Sequence, residues 1–345
     1  MAVWMVRAGK SGEREEFALE NNVAVIGWDE LPDLSPIRSR DDLKALMLTT
    51  FPEVKPSMVW NYLGQVWAFR DSIQVGDLIA LPLKTRSAIA IGTVQGPYEY
   101  VSRNPGGAHH TRPVKWTKKD IPRSSFRQDI LYSLGAFMAV CQIRRNQAEE
   151  RIRAVLKGKP DPGVSLSAGP TEETTETEVP PNLEEYASDQ IRSYIGQNFN
   201  GHELARLVAA LLKAQGYELQ VSSPGPDGGV DIIAGHGPMG FDHPRLCVQV
   251  KSSEQPVDVR VLRELHGTMN NFGAEQGLLV SWGGFKQSVF TEARQHFFEV
   301  RLWDAGRLVA VLKEQYDQLP KDLQAELPLK RIWTLVPEEQ ADTGG

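Results

Sequence analysis

The chain has 345 residues, a net charge of −6 at pH 7, 41% hydrophobic residues and 24% charged residues. This length predicts about two domains, and the composition is that of a globular protein with at least one sizeable core. The apolar runs fall short of the ~20 residues that a membrane span needs, and the negative charge argues against a protein that is basic over its whole surface.

The N-terminal residues and the cysteines indicate a compartment. The opening MAVWMVRAGK lacks the apolar segment of a signal peptide. Cys141 and Cys247 are far apart in sequence, and two such residues make neither a disulfide framework nor a zinc site. We therefore expect a cytoplasmic protein.

A change of composition near the middle predicts a linker. Residues 157–182, KGKPDPGVSLSAGPTEETTETEVPPN, are rich in Pro, Gly, Ser, Thr and Glu and show no helical or strand periodicity. Such a segment cannot bury enough apolar surface to offset its ordering entropy. We expect a first domain over 1–156, a flexible linker over 157–182, a second domain over 183–335 and a short tail over 336–345.

The first domain reads mainly as short strands. The β-rich segments bounded by Gly, Pro or Asp are AVWMVRA, VAVIGW, DLIALPL and SAIAIGTVQG. SRDDLKALMLTTF begins with a serine N-cap and has helical spacing, and NQAEERIRAVLKG reads as a helix ending in glycine. Strands with one or two helices predict a small mixed β-barrel.

The second domain alternates helices and strands, which predicts an α/β sheet with helices on both faces. The strands GGVDIIA and RLCVQVKS are separated by a loop of about a dozen residues, so we expect an antiparallel hairpin. The later strands QGLLVSW and EVRLWD follow helical segments and should be parallel to their neighbours.

Polar residues in this hairpin predict a metal site. Period-two alternation puts Gln249 and Lys251 on one face of their strand, and pairing with GGVDIIA would bring Asp231 to the same edge. A carboxylate, an amide oxygen and the main-chain carbonyl of Val250 form an oxygen site that suits Mg²⁺ better than zinc. A lysine beside such a metal can orient water or hold a phosphate oxygen.

These motifs resemble the Mrr-type branch of the PD-(D/E)xK nuclease superfamily, which carries Gln where most relatives have Asp or Glu. NGHELARLVAALLKAQGYE is similar to the family's leading helix, although His202 precedes its glutamate where an aromatic residue is usual. The resemblance implies that Asp231 is the central metal ligand and that Gln249 binds the metal or positions water. It also implies that Lys251 polarises the water and that Glu203 is a further metal carboxylate. Asp227 could support the site or could simply form the turn.

A basic stretch in the first domain predicts a nucleic-acid surface, with a solvated basic loop as the alternative. Residues 102–128 interleave Trp116 and Phe126 with cations and contain one acid, Asp120. The cations are Arg103, Arg112, Lys115, Lys118, Lys119, Arg123 and Arg127.

Tryptophans are also dense in the first domain, either as core or as a pocket for a base flipped out of the duplex. PSMVWNYLGQVWAFRDSIQVGDLIALPL, with VWMVRAG and AVIGW, resembles the PUA-like barrels, which include EVE and YTH-type readers of modified bases. The resemblance implies cage residues among Trp28, Trp60, Trp67 and Trp116, with Asp29 or Asn61 reading a base edge.

Together the two resemblances imply a modification-dependent, Mg²⁺-dependent restriction endonuclease, with Mn²⁺ as a substitute metal. Its substrate would be double-stranded DNA carrying a flipped base of the 5-methylcytosine type, and cutting both strands would require a homodimer or larger assembly. The alternatives are a repair or junction-resolving nuclease, and a nucleic-acid-binding protein with an inactive nuclease fold. His243 and His266 show no partner pattern and read as surface or loop residues.

Overall fold

The computed structural model describes residues 1–164, 182–222 and 229–334. It contains two β-sheets, one from each half of the chain. No helix in these three ranges is long and apolar enough to cross a membrane. Asp227 and residues 165–181 of the predicted linker lie outside the described residues.

The first sheet is built from seven strands interleaved with five helices. The strands are β1 (Val3–Val6), β2 (Val23–Ile26), β3 (Leu78–Pro82), β4 (Ala88–Val94), β5 (Glu99–Tyr100), β6 (His110–Pro122) and β7 (Val140–Gln142). The helices are α1 (Glu15–Glu20), α2 (Arg40–Thr50), α3 (Pro56–Trp67), α4 (Gln128–Leu134) and α5 (Ala148–Leu156).

Helix α2 begins where its sequence predicted. The Ser39 side chain accepts from the Asp42 main-chain N–H at 3.1 Å, and the Asp42 carboxylate accepts from the Ser39 N–H at 3.0 Å. This capping box satisfies two donors that the first turn would otherwise leave unpaired.

The first sheet is curled but not closed. Its strand order is β2-β6-β4-β3-β1-β7, with β5 also paired to β6, so β2 and β7 are edges. The predicted PUA-like barrel is therefore not confirmed, because the described strands form a half-barrel. The predicted strand segments are present, but closure depends on whether the two edges meet, which alternation along one strand does not encode.

The described residues of the second half form six α-helices and five strands. The helices are α6 (Leu183–Asn198), α7 (His202–Ala214), α8 (Val259–Phe272), α9 (Gln287–Gln295), α10 (Ala305–Gln315) and α11 (Lys321–Glu326). The strands are β8 (Glu218–Val221), β9 (Ile232–His236), β10 (Asp242–Lys251), β11 (Gln276–Ser281) and β12 (Val300–Asp304).

The second sheet has the order β12-β11-β10-β9-β8. Strands β9 and β10 pair antiparallel, whereas β10, β11 and β12 are parallel, as the loop length and the helical connections predicted. The α/β class of this half and its mixed sheet are therefore confirmed.

Helices cover both faces of the second sheet. Ile232, Val248 and Val280 face a core shared with α6, α7 and α10. On the other face, Cys247 and Leu279 pack with apolar residues of α8 and α9. Each strand alternates between these two cores, which is why its apolar residues run nearly without interruption.

The two halves are docked through α6. The Arg123 guanidinium, only 3% exposed, donates to both Asp189 carboxylate oxygens at 2.8 and 2.5 Å. Glu185 accepts from Arg7 at 3.1 Å and from Lys84 at 3.0 Å, and it lies 3.1 Å from Arg123. Charged residues of the first half therefore surround acids at the start of a helix of the second half.

Residues 157–164, the first part of the predicted linker, pack on the first half of the chain. Asp161 is buried and pairs with the buried Arg151 at 2.6 Å, while Asp129 pairs with the same guanidinium. The Asp161 carboxylate also accepts from the Arg127 main-chain N–H at 2.9 Å. Ordered chain therefore extends at least eight residues beyond the predicted boundary at residue 156.

Candidate functional site

The centre of the candidate site is the carboxylate of Asp231, at the start of the β9–β10 hairpin. Ile232 pairs with Val248 and Ile233 with Cys247, which places Asp231 opposite Gln249. The Asp231 N–H donates to Val248 O at 2.9 Å, and one Asp231 carboxylate oxygen accepts from the Val250 N–H at 2.7 Å. Main-chain hydrogen bonds thus hold this acid against the strand that carries Gln249 and Lys251.

Gln249 is buried at the same end of the hairpin. Its side chain is 4% exposed, and within the described part of the chain its amide oxygen Oε1 has no hydrogen-bond partner. A buried polar atom left unpaired costs on the order of 1–3 kcal/mol. An oxygen held this way beside a carboxylate is suited to bind a cation or a positioned water.

Lys251 follows Gln249 on the same face of β10 and is half-buried. Its position is fixed by the parallel neighbour, because it pairs with Ser281 and its main-chain carbonyl accepts from the Trp282 N–H at 2.8 Å. Asp231, Gln249 and Lys251 therefore gather at one end of the sheet, as the sequence predicted.

Gly229 lies close to the Gln249 side chain. Its φ of +83° lies in the region that favours glycine, and a Cβ built there would lie 3.7 Å from Gln249 Nε2 and 3.8 Å from Thr268 Oγ1. The chain before Asp231 thus passes close to the Gln249 amide. The second glycine of DGG is the signal that could have indicated this approach.

Glu203 is half exposed in the first turn of α7 and accepts from Arg206 Nε at 2.7 Å. Arg206 also contacts Glu326 on α11. Helix α7 packs on the sheet face that carries Val248, whereas Gln249 and Lys251 alternate to the opposite face. A metal-binding role for Glu203 stays a prediction.

Some cations of the predicted basic surface are buried and others are exposed. Arg112 is 4% exposed and donates to the carbonyls of Phe69, Arg70 and Gly96, and Arg123 is in the buried cluster at α6. In this conformation these two arginines have a structural role, because the N–H groups of a buried guanidinium must hydrogen-bond to acceptors within the protein. The pattern of charges in the sequence does not distinguish these two buried arginines from the exposed cations of the same stretch.

The other cations of this stretch are accessible to different degrees. Arg103, Lys115 and Arg127 are exposed. Lys118 and Lys119 are half-buried, and their ammonium groups donate to Val155 O and Leu19 O.

A cavity of about 520 Å³ opens beside Trp28 and Asp29 in the first half. Trp28 has φ +64° and packs edge-on against Tyr62, with ring centroids 5.5 Å apart, and Asp29 pairs with Arg14 at 2.7 Å. Phe51 also lines the cavity and contacts Tyr62 edge-on. An aromatic cavity with charged groups at its rim can hold a planar polar ligand.

The remaining predicted pocket residues lie elsewhere. Trp60 is 51% exposed beneath the Lys44 ammonium, and Trp67 packs against the first core. Trp116 is buried and donates to Ala18 O at 3.0 Å, so it is a core residue and not part of the cavity. The Asn61 side chain accepts from Gln65 Nε2 at 2.6 Å.

Sequence reasoning missed Tyr62, Phe51 and Gln65 as cavity residues. Gln65 is buried, and its Oε1 accepts from the Ala139 and Val140 N–H groups. Tyr62 lay inside the segment singled out for its tryptophans. Helical spacing from Trp60 does not show which aromatic side chain turns inward.

The mixed sheet carries an acid, a buried amide and a lysine at the end of its central hairpin, which resembles the site expected of PD-(D/E)xK nucleases. Residues 197–312 match the Mrr_cat family model, described as "Restriction endonuclease". Residues 197–312 are therefore similar to the Mrr-type restriction endonuclease domain, a family whose description indicates a DNA-cleaving hydrolase. Residues 4–131 match a "Domain of unknown function (DUF8426)".

Two solved structures resemble the chain at 16% sequence identity each. "DNA modification-dependent restriction endonuclease AspBHI" aligns over 89% of this chain and 79% of its own, with a TM-score of 0.34. "MspJI Restriction Endonuclease in Complex with 27-mer Oligonucleotide" aligns over 73% of this chain and 62% of its own, with a TM-score of 0.32. No curated protein matches the sequence.

Proposed function

We propose that this protein is a Mg²⁺-dependent endonuclease whose first domain confines cleavage to DNA carrying a modified base. The observation that carries the proposal is the buried Gln249 Oε1, which has no partner among the described residues and lies on the same strand face as Lys251, opposite Asp231. An uncompensated polar atom in a folded protein needs an explanation. A cation or its bound water would provide one.

The donor set fits a hard divalent ion. Asp231, Gln249 Oε1 and the Val250 carbonyl would hold Mg²⁺, with Mn²⁺ as a substitute, because these are oxygen ligands. When bound, the ion supplies Lewis-acid stabilisation of charge on phosphate oxygens. Lys251, a fixed cation on the same strand face, would orient the attacking water or stabilise the charge that develops on the phosphate.

The cavity beside Trp28 is the proposed reader of a modified base of the 5-methylcytosine type. Trp28 and Tyr62 offer aromatic surface to a flipped base, and Asp29, oriented by Arg14, can accept from its edge. The exposed Arg103, Lys115 and Arg127 would contact the DNA backbone. Cutting both strands needs two such sites, so we propose that a dimer assembles on DNA.

Cleavage of matched plasmids tests the catalytic assignment. With Mg²⁺, wild-type protein should cut a plasmid carrying methylcytosine or hydroxymethylcytosine in preference to one that is unmodified or carries methyladenine. Lys251→Ala should slow cutting by about 10²–10³-fold, because it removes a charge aimed at the transition state. Lys213→Ala, on an exposed face of α7, is the matched control and should cut normally.

Three results would decide against parts of this proposal. Equal cutting of all plasmids would exclude the reader and leave the nuclease intact. Full activity of Lys251→Ala would exclude the catalytic assignment, and DNA binding without cleavage under any condition would favour a binding protein.

The reader is tested by a pair of tryptophan substitutions. Trp28→Ala should weaken binding to modified DNA by about 5- to 100-fold, since base–aromatic stacking contributes about 1–3 kcal/mol. Trp60→Ala removes an exposed tryptophan outside the cavity and should have little effect. Equal losses for both variants, measured by fluorescence anisotropy, would rule out this cavity as the reader.

A further inference from the structure

Three potential metal ligands meet on the nuclease domain, apart from Asp231, Gln249 and Lys251. They are His266 on α8, His296 at the end of α9 and Glu299 just before β12. One ligand atom from each lies within 4.8 Å of the other two. The sequence separates His266 from His296 by thirty residues, so only the packing of α8 against α9 reveals the cluster.

The side chains already approach the spacing of a metal site. His296 Nδ1 is 3.2 Å from Glu299 Oε2, and the imidazole rings of His266 and His296 are 4.3 Å apart at 53°. Tetrahedral zinc with bonds of about 2.0–2.2 Å puts its ligand atoms roughly 3.3–3.6 Å apart. The His296–Glu299 pair, at 3.2 Å, is within about 0.1 Å of that range, and the ligand atom of His266 lies within 4.8 Å of both.

One ring nitrogen of His266 has no hydrogen-bond partner among the described residues. Its Nε2 is buried, and none of the described residues bonds to it. A buried imidazole nitrogen is either unpaired, which costs free energy, or bound to a species outside the described residues.

The backbone under the cluster is fixed. His296 O accepts from both the Glu299 and the Val300 N–H at 2.9 Å, which closes the turn between α9 and β12. Arg263 on α8 donates to both carboxylate oxygens of Glu292 on α9, at 2.8 and 2.7 Å. Metal binding would thus require little ordering of main chain.

We infer that His266, His296 and Glu299 form a Zn²⁺ site that clamps α8 to the turn between α9 and β12. Two imidazoles and a carboxylate suit Zn²⁺ and not Mg²⁺, whose ligands are mostly oxygen. The fourth position is left for water. The site is separate from the proposed catalytic metal and does not depend on the proposed nuclease activity.

Calorimetric titration of untagged, chelator-treated full-length protein with Zn²⁺ tests this inference. Wild-type protein should bind one Zn²⁺ at this site, and a hundredfold excess over Kd should raise Tm by about 5 °C or more. Co²⁺ in place of Zn²⁺ should give the visible absorption bands of a low-symmetry site with nitrogen ligands.

Variants locate the bound ion. His266→Ala and Glu299→Gln should each weaken Zn²⁺ binding by at least about tenfold, since even outer-sphere partners are worth that much. Glu299 is largely exposed, so Glu299→Gln keeps the test valid if His266→Ala folds poorly. His243→Ala is the matched control, because His243 forms a similar exposed pair with Glu275, at 2.8 Å, without a second histidine.

Asp231→Asn separates the two proposals, since it should abolish cleavage and leave Zn²⁺ binding unchanged. The zinc inference is wrong if the wild type binds no Zn²⁺, if Glu299→Gln and His266→Ala bind as tightly as wild type, or if His243→Ala loses the ion.

Discussion

Gln249 is the residue that most distinguishes this site from one built on two acids. It is 4% exposed, its Oε1 is unpartnered among the described residues, and it lies opposite Asp231. A neutral amide brings less negative charge to a cation than a carboxylate would. The site should therefore hold Mg²⁺ weakly when DNA is absent.

Gln249→Glu should change stability and metal response in opposite directions. Without metal, a buried carboxylate beside Asp231 should destabilise the protein by about 1–3 kcal/mol, because two acids repel in a dry environment. With Mg²⁺, the same charge should lower the ion concentration needed for half-maximal stabilisation. Denaturant unfolding with and without Mg²⁺ measures both effects, and Gln190→Glu on an exposed position of α6 is the control.

Gly229 and Gly267 allow two glycine-to-alanine substitutions with opposite expected effects on stability to be compared. A Cβ at Gly229 meets no atom of the described residues closer than 3.7 Å, but φ is +83°, so Gly229→Ala should cost about 1–2 kcal/mol of backbone strain. Gly267 lies inside α8 with open space around its Cβ, so Gly267→Ala should gain up to about 1 kcal/mol. Thermal or urea unfolding should show opposite signs, and two losses of equal size would contradict the argument.

At the scale of elements, α6 connects the two halves of the chain. Its Asn182 N-cap accepts from the Glu185 N–H at 3.1 Å, and the Asn182 N–H donates to Gly135 O of the first half at 2.9 Å. Tyr186 on α6 stacks edge-on against Tyr132 of α4, with centroids 5.6 Å apart. Helix α6 is therefore held against the first half by a main-chain hydrogen bond, an aromatic contact and ion pairs.

The buried ion pair of Arg123 should dominate this contact. Arg123→Ala leaves Asp189 and Glu185 buried without their main cation, so it should cost about 3–5 kcal/mol. Arg294→Ala breaks an exposed pair with Glu16 that also joins the halves, at 2.6 Å, and should cost at most about 1 kcal/mol. Equal costs in denaturant unfolding would show that burial does not set the strength of these pairs.

Glu185 makes the contact between the halves depend on pH. Burial alone would raise the pKa of Glu185, but Arg123, Arg7 and Lys84 outweigh it and lower that pKa to about 2. The pKa of Glu185 is therefore lower in the folded protein than in the unfolded chain, where it is near 4.5. The ionised carboxylate contributes its full stabilisation above pH 4.5, and this contribution is lost as the pH falls toward about 2.

The wild type should therefore lose more stability than Glu185→Gln between pH 5 and pH 3, since the amide does not titrate. Unfolding free energies measured across this range give the comparison. Parallel pH profiles for the two proteins would contradict the assignment of this titration to Glu185.

At the scale of the whole molecule, the two halves of the chain contact each other directly, although the sequence predicted that they would be connected only by a flexible linker. Besides α6, the Ser87 N–H donates to the Asp304 carboxylate at 2.6 Å, and Arg86 donates to Gln287 at 2.7 Å. Asp304 also caps α10, so one acid serves both a helix end and the contact between halves. Such contacts would let DNA binding by one domain influence the other.

Cutting the linker tests whether docking survives without the covalent connection. A specific protease site inserted within residues 165–181 should yield two fragments that still co-elute in size-exclusion chromatography at physiological salt. Arg123→Ala should separate them, whereas Arg294→Ala should not. Separation of the wild-type fragments under the same conditions would show that docking needs the linker.

The local features of this protein can be predicted from patterns in its sequence. The Ser39 capping box, the strand segments, the β9–β10 hairpin and the gathering of Asp231, Gln249 and Lys251 all follow from patterns within a few turns or one strand pair. The tertiary structure alone decided the open curl of the first sheet, the burial of Arg112 and Arg123, and the meeting of His266 with His296. These depend on contacts between segments far apart in the chain, which periodicity and local charge do not encode.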